Sequence, residues 1–300
     1  MIEAECQTHG SGENRTSFAH QSEAEFARLL DFYGVRWQYE PRTFTLREDE
    51  GRLLEAFTPD FYLPDFDLYI ELTTLRQRLV AYKNRKLRQL RELYPEVKIK
   101  LLYRKDFFKL LQRFGIEPRG SKTVPAVERI LINAVDLDRR VAQLGSEITH
   151  DYAGDRPVLV GVLRGVTCFM ADLMRRVALP VSIDYLALSS YQADAGPLRF
   201  TKDLDESIEG RRVIIVEDIV DTGMTLNRLM HHLGESSPSD VRVCTLLDKR
   251  ARRLTEVDLA YVGFAIEDEF VVGYGLDFHQ EYRNLPYIAT LALEEVGGRG

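Results

Sequence analysis

The rhythm of apolar and polar positions divides the chain. Residues 1–17 hold little apolar content and read as a flexible tail. Beyond them Phe26, Leu29, Leu30 and Tyr33 recur at helical spacing and stop at Gly34, while Ser22 and Glu25 fit an N-terminal capping box. Short strand-like stretches follow at 37–39, 44–46, 57–62 and 68–72. A longer helix is predicted over 75–93, with Leu79, Tyr82, Leu87, Leu90 and Leu93 along one side and Pro95 closing it. Residues 98–103 read as a strand and 106–114 as a short helix. Two Gly/Pro clusters without periodicity, at 115–125, read as a linker.

The second half alternates more regularly. Helices are predicted over 136–152, 167–178 and 225–233, and strands over 158–163, 181–188, 212–216 and 241–247. Strands alternating with helices imply crossovers and a parallel sheet. The unbroken apolar runs VLVGVL and VIIV fit strands buried on both faces. The expected layout is a tail at 1–17, a smaller α/β domain at 18–116, a linker at 117–126 and a larger α/β domain at 127–300.

Composition narrows the classes. At about 150 residues per domain, 300 residues imply two domains. A hydrophobic fraction of 45% with 29% charged residues excludes global disorder and a disulfide-stapled miniprotein. The best apolar run, 158–170, is broken by Arg164, so no membrane span is expected. The start, MIEAEC, is acidic and lacks a secretory apolar core. Cys6, Cys168 and Cys244 form no CxxC pair, which suits a reduced, cytoplasmic protein. Net charge is −7, yet residues 71–113 carry thirteen Lys and Arg against four Asp and Glu. That segment is therefore +9 and the remainder −16, an asymmetry compatible with a nucleic-acid partner on the helix at 76–91 or with a solvated helix face.

The richest stretch is RVIIVEDIVDTGMTL at 212–226. It reads as a buried strand stopping at Glu217 and Asp218, then a loop holding Asp221, Thr222, Gly223, Met224 and Thr225, then a helix. In open parallel sheets ligands bind beyond the carboxyl ends of strands. A small, hydroxyl-bearing loop that opens a helix offers N–H groups and a positive dipole end to a phosphate. Adjacent carboxylates can bind sugar hydroxyls or support magnesium. The stretch describes a site for a phosphorylated sugar.

VEDIVDTGMT resembles the 5-phosphoribosyl 1-pyrophosphate (PRPP) motif of type I phosphoribosyltransferases. From residue 127 onward the chain is similar to their hypoxanthine-guanine branch. Leu163, Arg164 and Gly165 resemble its pyrophosphate loop, and Ser189, Ser190 and Tyr191 the start of its lid, here 190–204. LLDKRARR and FVVGYGLDFHQEYRNLPY resemble its purine- and pyrophosphate-binding segments. The resemblance implies a parallel sheet flanked by helices with a small hood. It implies that Glu217 and Asp218 hold the ribose hydroxyls, that Asp221 faces purine N7 as general base, and that Thr222 to Thr225 wrap the 5′-phosphate. Lys249 would donate to a 6-oxo group, Phe270 would stack on the base and the Val271 backbone would read its edge. Asp277 would ligate Mg2+, with Glu217 and Asp218 as further ligands, and Arg253 and Arg283 would neutralise pyrophosphate. The reaction implied joins PRPP to hypoxanthine or guanine, giving IMP or GMP, in a homodimer or homotetramer. The motifs leave hypoxanthine, guanine and xanthine undivided.

Residues 22–114 resemble the PD-(D/E)xK nuclease-like fold, with Glu25 on the first helix, Asp60 after Pro59, and Glu71 in IELT. In that family three such acids bind divalent ions and a lysine positions water. Here the lysine position is Thr73, and Lys83 or Lys86 of the next helix are candidate substitutes. Three functions stand side by side: a purine salvage enzyme, a PRPP-sensing regulator that binds nucleic acid, and a nuclease with a nucleotide-sensing half. Lys249, Phe270, Asp277 and Asp221 together favour the first.

Overall fold

The computed structural model describes residues 18–49, 52–73, 77–103, 126–189 and 198–291. The expectations for the tail at 1–17, the short helix at 106–114, the linker residues 115–125, and Cys6, Arg76, Ser190 and Tyr191 fall outside them. The chain forms two compact units, one of residues 1–28 with 36–103, the other of residues 29–35 with 104–300.

Helix α1 is Gln21–Tyr33. It starts one residue before Ser22, so Ser22 is not its cap. Glu23 reaches back instead, its Oε2 accepting from the Ala19 and His20 amides at 3.0 and 3.1 Å. Strands β1 (Gln38–Tyr39), β2 (Phe44–Asp49), β3 (Arg52–Phe57), β4 (Phe61–Leu63) and β5 (Leu68–Thr73) come next, then α2 (Gln77–Leu93) and β6 (Ile99–Tyr103). The single strand expected at 57–62 is two: Phe57 ends β3, and Phe61 opens β4. Pro59 between them lacks the N–H that a continuous ladder needs. The sheet order is β1-β4-β5-β6, antiparallel except for the parallel β5–β6 pair, with β2–β3 a separate hairpin. Phe44, Phe57, Leu87, Leu90 and Ile99 form a core cluster beneath α2.

The second unit holds β7 (Val127–Ile132), α3 (Ala134–Asp151), β8 (Val158–Leu163), α4 (Thr167–Arg176), β9 (Ser182–Leu188), β10 (Phe200–Lys202), β11 (Arg212–Val220), α5 (Met224–Gly234), β12 (Asp240–Asp248), β13 (Tyr261–Ala265), β14 (Val271–Val272) and β15 (Ile288–Leu291). The six-stranded sheet runs β10-β9-β8-β11-β12-β13, parallel throughout except for the antiparallel β10 edge. Alternate residues divide between its faces, as strand pleating requires. Leu159, Ile214 and Val216 pack with α3 and α4; Val158, Val160, Val213 and Ile215 pack with α5. Burial on both faces is why these strands are apolar without interruption. A small antiparallel sheet, β14-β15-β7, forms the hood.

Of the residues expected within the lid, 200–202 form a strand, while 198–199 and 203–204 are irregular. β10 pairs with β9, Lys202 holds Asp184 at 3.2 Å and Asp205 at 3.0 Å, and Phe200 stacks on His232. The strand at 200–202 corrects the lid reading there, and 190–197 lie outside the described residues.

Candidate active site

The site begins with an asymmetry in β11. Its ladder with β8 ends at Val216–Gly161, but its ladder with β12 continues to Val220–Asp248. The strand therefore does not stop at the acids, as the sequence suggested. It carries Glu217 and Asp218 forward, paired on one side only, with the other flank open to the loop after β8. Gly165 of that loop lies so close that a Cβ there would fall 1.7 Å from Asp218 Oδ2. A side chain at this position would force the Asp218 carboxylate to move. The Leu163–Arg164 peptide in the same loop is cis.

Past β11 the chain turns through Asp221, Thr222 and Gly223 into α5. Gly223 has φ +82°, a left-handed conformation that glycine adopts at little cost. Thr222 Oγ1 accepts from the Met224 amide at 3.3 Å, and the Thr222 carbonyl accepts from the Leu254 amide at 2.8 Å. The turn is thus pinned on both sides, with the amino end of α5 beside it. Asp221, Thr222, Gly223 and Thr225 line a cavity of about 250 Å³; Met224 is buried away from it, 2% exposed.

On the base side, Lys249 is 5% exposed and donates from Nζ to the Glu269 carbonyl at 2.7 Å. It stands 3.9 Å from Asp221 Oδ2, and Arg252 Nη1 is 3.8 Å from the same oxygen. Phe270 and Val271 line the cavity, the Phe270 ring meeting Phe278 edge-on at 5.5 Å. The expectation for Arg253 is corrected. Its guanidinium pairs with buried Asp248 and donates from Nε to the Asp221 carbonyl at 3.2 Å, so it clamps the loop from behind and does not line the cavity. Arg252, missed in the sequence, lines the cavity instead and also pairs with Asp268. Its Nη2 is buried and has no acceptor among the described residues.

On the pyrophosphate side, Arg164, Gly165, Ser189, Asp277 and Arg283 line the same cavity, as does Leu163. Asp277 Oδ1 holds Arg283 Nη2 at 2.7 Å, and Arg283 Nη1 donates to the Gly275 carbonyl at 2.7 Å. Gln280, another residue that sequence reasoning missed, bridges the two arginines: its Oε1 accepts from Arg164 at 3.3 Å and from Arg283 at 3.2 Å. The donor set suits magnesium of one particular kind. Among the described residues no three acids or other ligands gather closely enough to cage a metal alone. Glu217, Asp218 and Asp277 instead face one cavity with three arginines, which fits an ion carried by substrate phosphates and touched by one or two carboxylates.

The acids of the first unit are arranged differently from the expectation. Glu25 does not join Asp60 and Glu71; Glu23, two positions earlier and 4% exposed, is the helix acid whose charge acts on both. Burial first, then Glu71, pushes the Asp60 carboxyl up to about 7, and Asp60 Oδ2 accepts from the Leu72 amide at 2.6 Å. Burial likewise raises Glu71, against the pull of Lys83. Lys83 Nζ sits 2.5 Å from Glu71 Oε1 and donates to the Leu72 carbonyl at 2.9 Å. It supplies from α2 the cation that Thr73 cannot. Lys86 turns elsewhere, to the Ala56 carbonyl at 2.8 Å. Part of the basic helix is spent internally, since Arg85 pairs with Glu55 and Arg91 donates to the Ile99 carbonyl.

Residues 133–279 match the phosphoribosyl transferase domain. The hypoxanthine phosphoribosyltransferase of Haemophilus influenzae is 48% identical over 172 residues, 55% of this chain and 96% of that protein. The bifunctional protein TilS/HprT of Listeria monocytogenes is 43% identical over 171 residues, 56% of this chain but 26% of that one. A solved hypoxanthine-guanine phosphoribosyltransferase from Bacillus anthracis superposes with a TM-score of 0.53 at 41% identity, over 55% of this chain and 99% of that one. The cavity at the mouth of the parallel sheet and the near-complete span of the Haemophilus and Bacillus relatives lead to one assignment: the chain belongs to the hypoxanthine phosphoribosyltransferase family.

Proposed function

We propose that the second unit joins the ribose 5-phosphate of PRPP to a 6-oxopurine, displacing pyrophosphate and yielding IMP or GMP. Family membership makes the chain a transferase of purine salvage. The observation that carries the residue assignment is the convergence of Lys249 and Arg252 within 4 Å of the Asp221 Oδ2, in the cavity that Glu217 and Asp218 also line.

In this reading Thr222, Gly223 and Thr225 receive the 5′-phosphate at the amino end of α5. Glu217 and Asp218 hold the ribose hydroxyls and oppose the positive charge that grows on the ring as C1 loses pyrophosphate. Lys249 orients the base through its 6-oxo group, because an ammonium donates and never accepts. Asp221 accepts at N7 and takes a proton as the base nitrogen bonds to C1. Phe270 stacks on the purine. Arg164 and Arg283, aligned by Gln280, stabilise the departing pyrophosphate with forked donors. Glu217, Asp218 or Asp277, together with substrate oxygens, would hold Mg2+, which when bound would supply further charge neutralisation. Arg252 keeps Asp221 and Lys249 in register, and Arg253 fixes the loop beneath them. The free thiols of Cys168 and Cys244 suit a reducing, cytoplasmic setting.

Purified full-length chain with PRPP, magnesium and a panel of purines tests the reading. IMP and GMP should form, and adenine should be a poor acceptor by at least about 10²-fold, because Lys249 offers its 6-amino group no acceptor. Turnover of adenine at the hypoxanthine rate would remove Lys249 from the base-reading role.

A second reading attaches to the first unit, because Lys83 meets Glu71 where Glu23 and Asp60 add negative charge. We propose that Asp60, Glu71 and Lys83 act on a nucleic-acid phosphate, with exposed Arg88 of α2 adding a backbone contact. Cleavage of DNA or RNA in magnesium or manganese is expected to disappear in Asp60→Ala and in Lys83→Met while IMP formation persists. Absence of cleavage by the unaltered chain would leave this unit without hydrolytic function.

A further inference from the structure

The parallel sheet has a second cleft at its opposite end. β11 is nine residues long, so at roughly 3.3 Å per residue its amino end lies on the order of 30 Å from Val220. There a cleft of about 710 Å³ is lined by Arg156 before β8, Ser182 at the start of β9, Arg211 and Arg212 at the start of β11, and Ser239 before β12. Nothing in the transfer reaction uses it.

Arg211 and Arg212 are held in place, and Arg156 is exposed beside them. Arg211 Nη2 donates to the Arg156 carbonyl at 3.2 Å and approaches Ser182 Oγ at 3.5 Å. Arg212 Nη1 donates to Asp155 Oδ2 at 3.1 Å, and its guanidinium lies 5.3 Å from the centre of the Tyr152 ring. The neighbouring acids are engaged elsewhere: Asp240 and Asp151 pair with Arg242, and Asp151 also accepts from the Tyr261 hydroxyl at 2.8 Å. Arg156 and Arg211 have no carboxylate partner among the described residues, so the cleft keeps a positive surplus beside two serine hydroxyls. Pre-oriented forks with spare N–H groups match phosphate oxygens better than they match a monovalent ion.

We propose that this cleft binds a small phosphate-bearing anion, independently of the transferase site. Pyrophosphate, titrated calorimetrically into the full-length chain with magnesium, should fill two sites per chain. In Arg156→Ala/Arg211→Ala one site should weaken at least about tenfold, or ~1.4 kcal/mol, while the other and the rate of IMP formation stay unchanged. Arg156→Ala alone, which removes no side-chain bond, gives the same test if Arg211 proves necessary for folding. GMP as a second titrant names the source: a second GMP site indicates nucleoside phosphates, and a second site for pyrophosphate alone indicates inorganic phosphates. One site in the unaltered chain, or two sites of unaltered affinity in the double variant, would overturn the proposal.

Discussion

Asp221→Asn should lower kcat/KM for IMP formation by about 10²- to 10⁴-fold, the range expected for loss of a positioned general base. The carboxylate is 5% exposed and flanked by two cations, Lys249 at 3.9 Å and Arg252 at 3.8 Å. The amide keeps the shape, so the turn through Thr222 and Gly223 should survive. It accepts no proton, however, and leaves two buried cations facing a neutral group. The loss should fall mainly on kcat, with the KM for PRPP nearly unchanged, because the phosphate and ribose contacts belong to other residues. A variant retaining more than a tenth of the activity would exclude Asp221 as proton acceptor.

Lys249→Met should cost about 30- to 1000-fold in kcat/KM for hypoxanthine, equivalent to ~2–4 kcal/mol for truncating one member of a buried charge pair. Methionine approximates the volume of the lysine stem, so the wall of the cavity should persist. The lost group is the ammonium that donates to the Glu269 carbonyl at 2.7 Å and stands beside Asp221. Discrimination against adenine should shrink with it, since the donor that matches a 6-oxo group is gone. Equal losses for every purine, with discrimination intact, would assign base selection to another residue.

The sequence made the middle of the second unit readable for a physical reason. VLVGVL is buried on both faces, so its apolar run begins and ends where the strand Val158–Leu163 does. The hood was implied by the family resemblance, but its strands were not readable from the local pattern. Val127–Ile132 pairs with Ile288–Leu291 across more than 150 residues, and four of the first strand's six residues are exposed, which leaves no local pattern. The acids at the mouth of β11 were recognisable as a motif, but the continuing one-sided ladder with β12 depends on a partner strand and is invisible locally. The same limit explains two residue-level errors. Glu23 and Glu25 differ by two positions on a helix, which places them on nearly opposite faces, and only the packing of α1 decides which one looks inward. Arg252 ends and Arg253 follows a 3₁₀ turn, Arg250–Arg252, where neighbouring side chains diverge and no periodicity tells which faces the cavity. Lys83 and Lys86 are candidates only through the nuclease-like resemblance, which expects a lysine where Thr73 stands; Lys83 pairs with Glu71 from α2, and Lys86 turns elsewhere.

A structure of the full-length chain bound to IMP tests most directly how the cavity reads its ligand. The account predicts the hypoxanthine oxygen within hydrogen-bond distance of Lys249 Nζ, N7 turned to Asp221, the phosphate at the Thr222–Thr225 turn and the ribose hydroxyls on Glu217 and Asp218. Density for the purine outside this cavity, or a base whose oxygen points away from Lys249 while Asp221 meets only solvent, would contradict it.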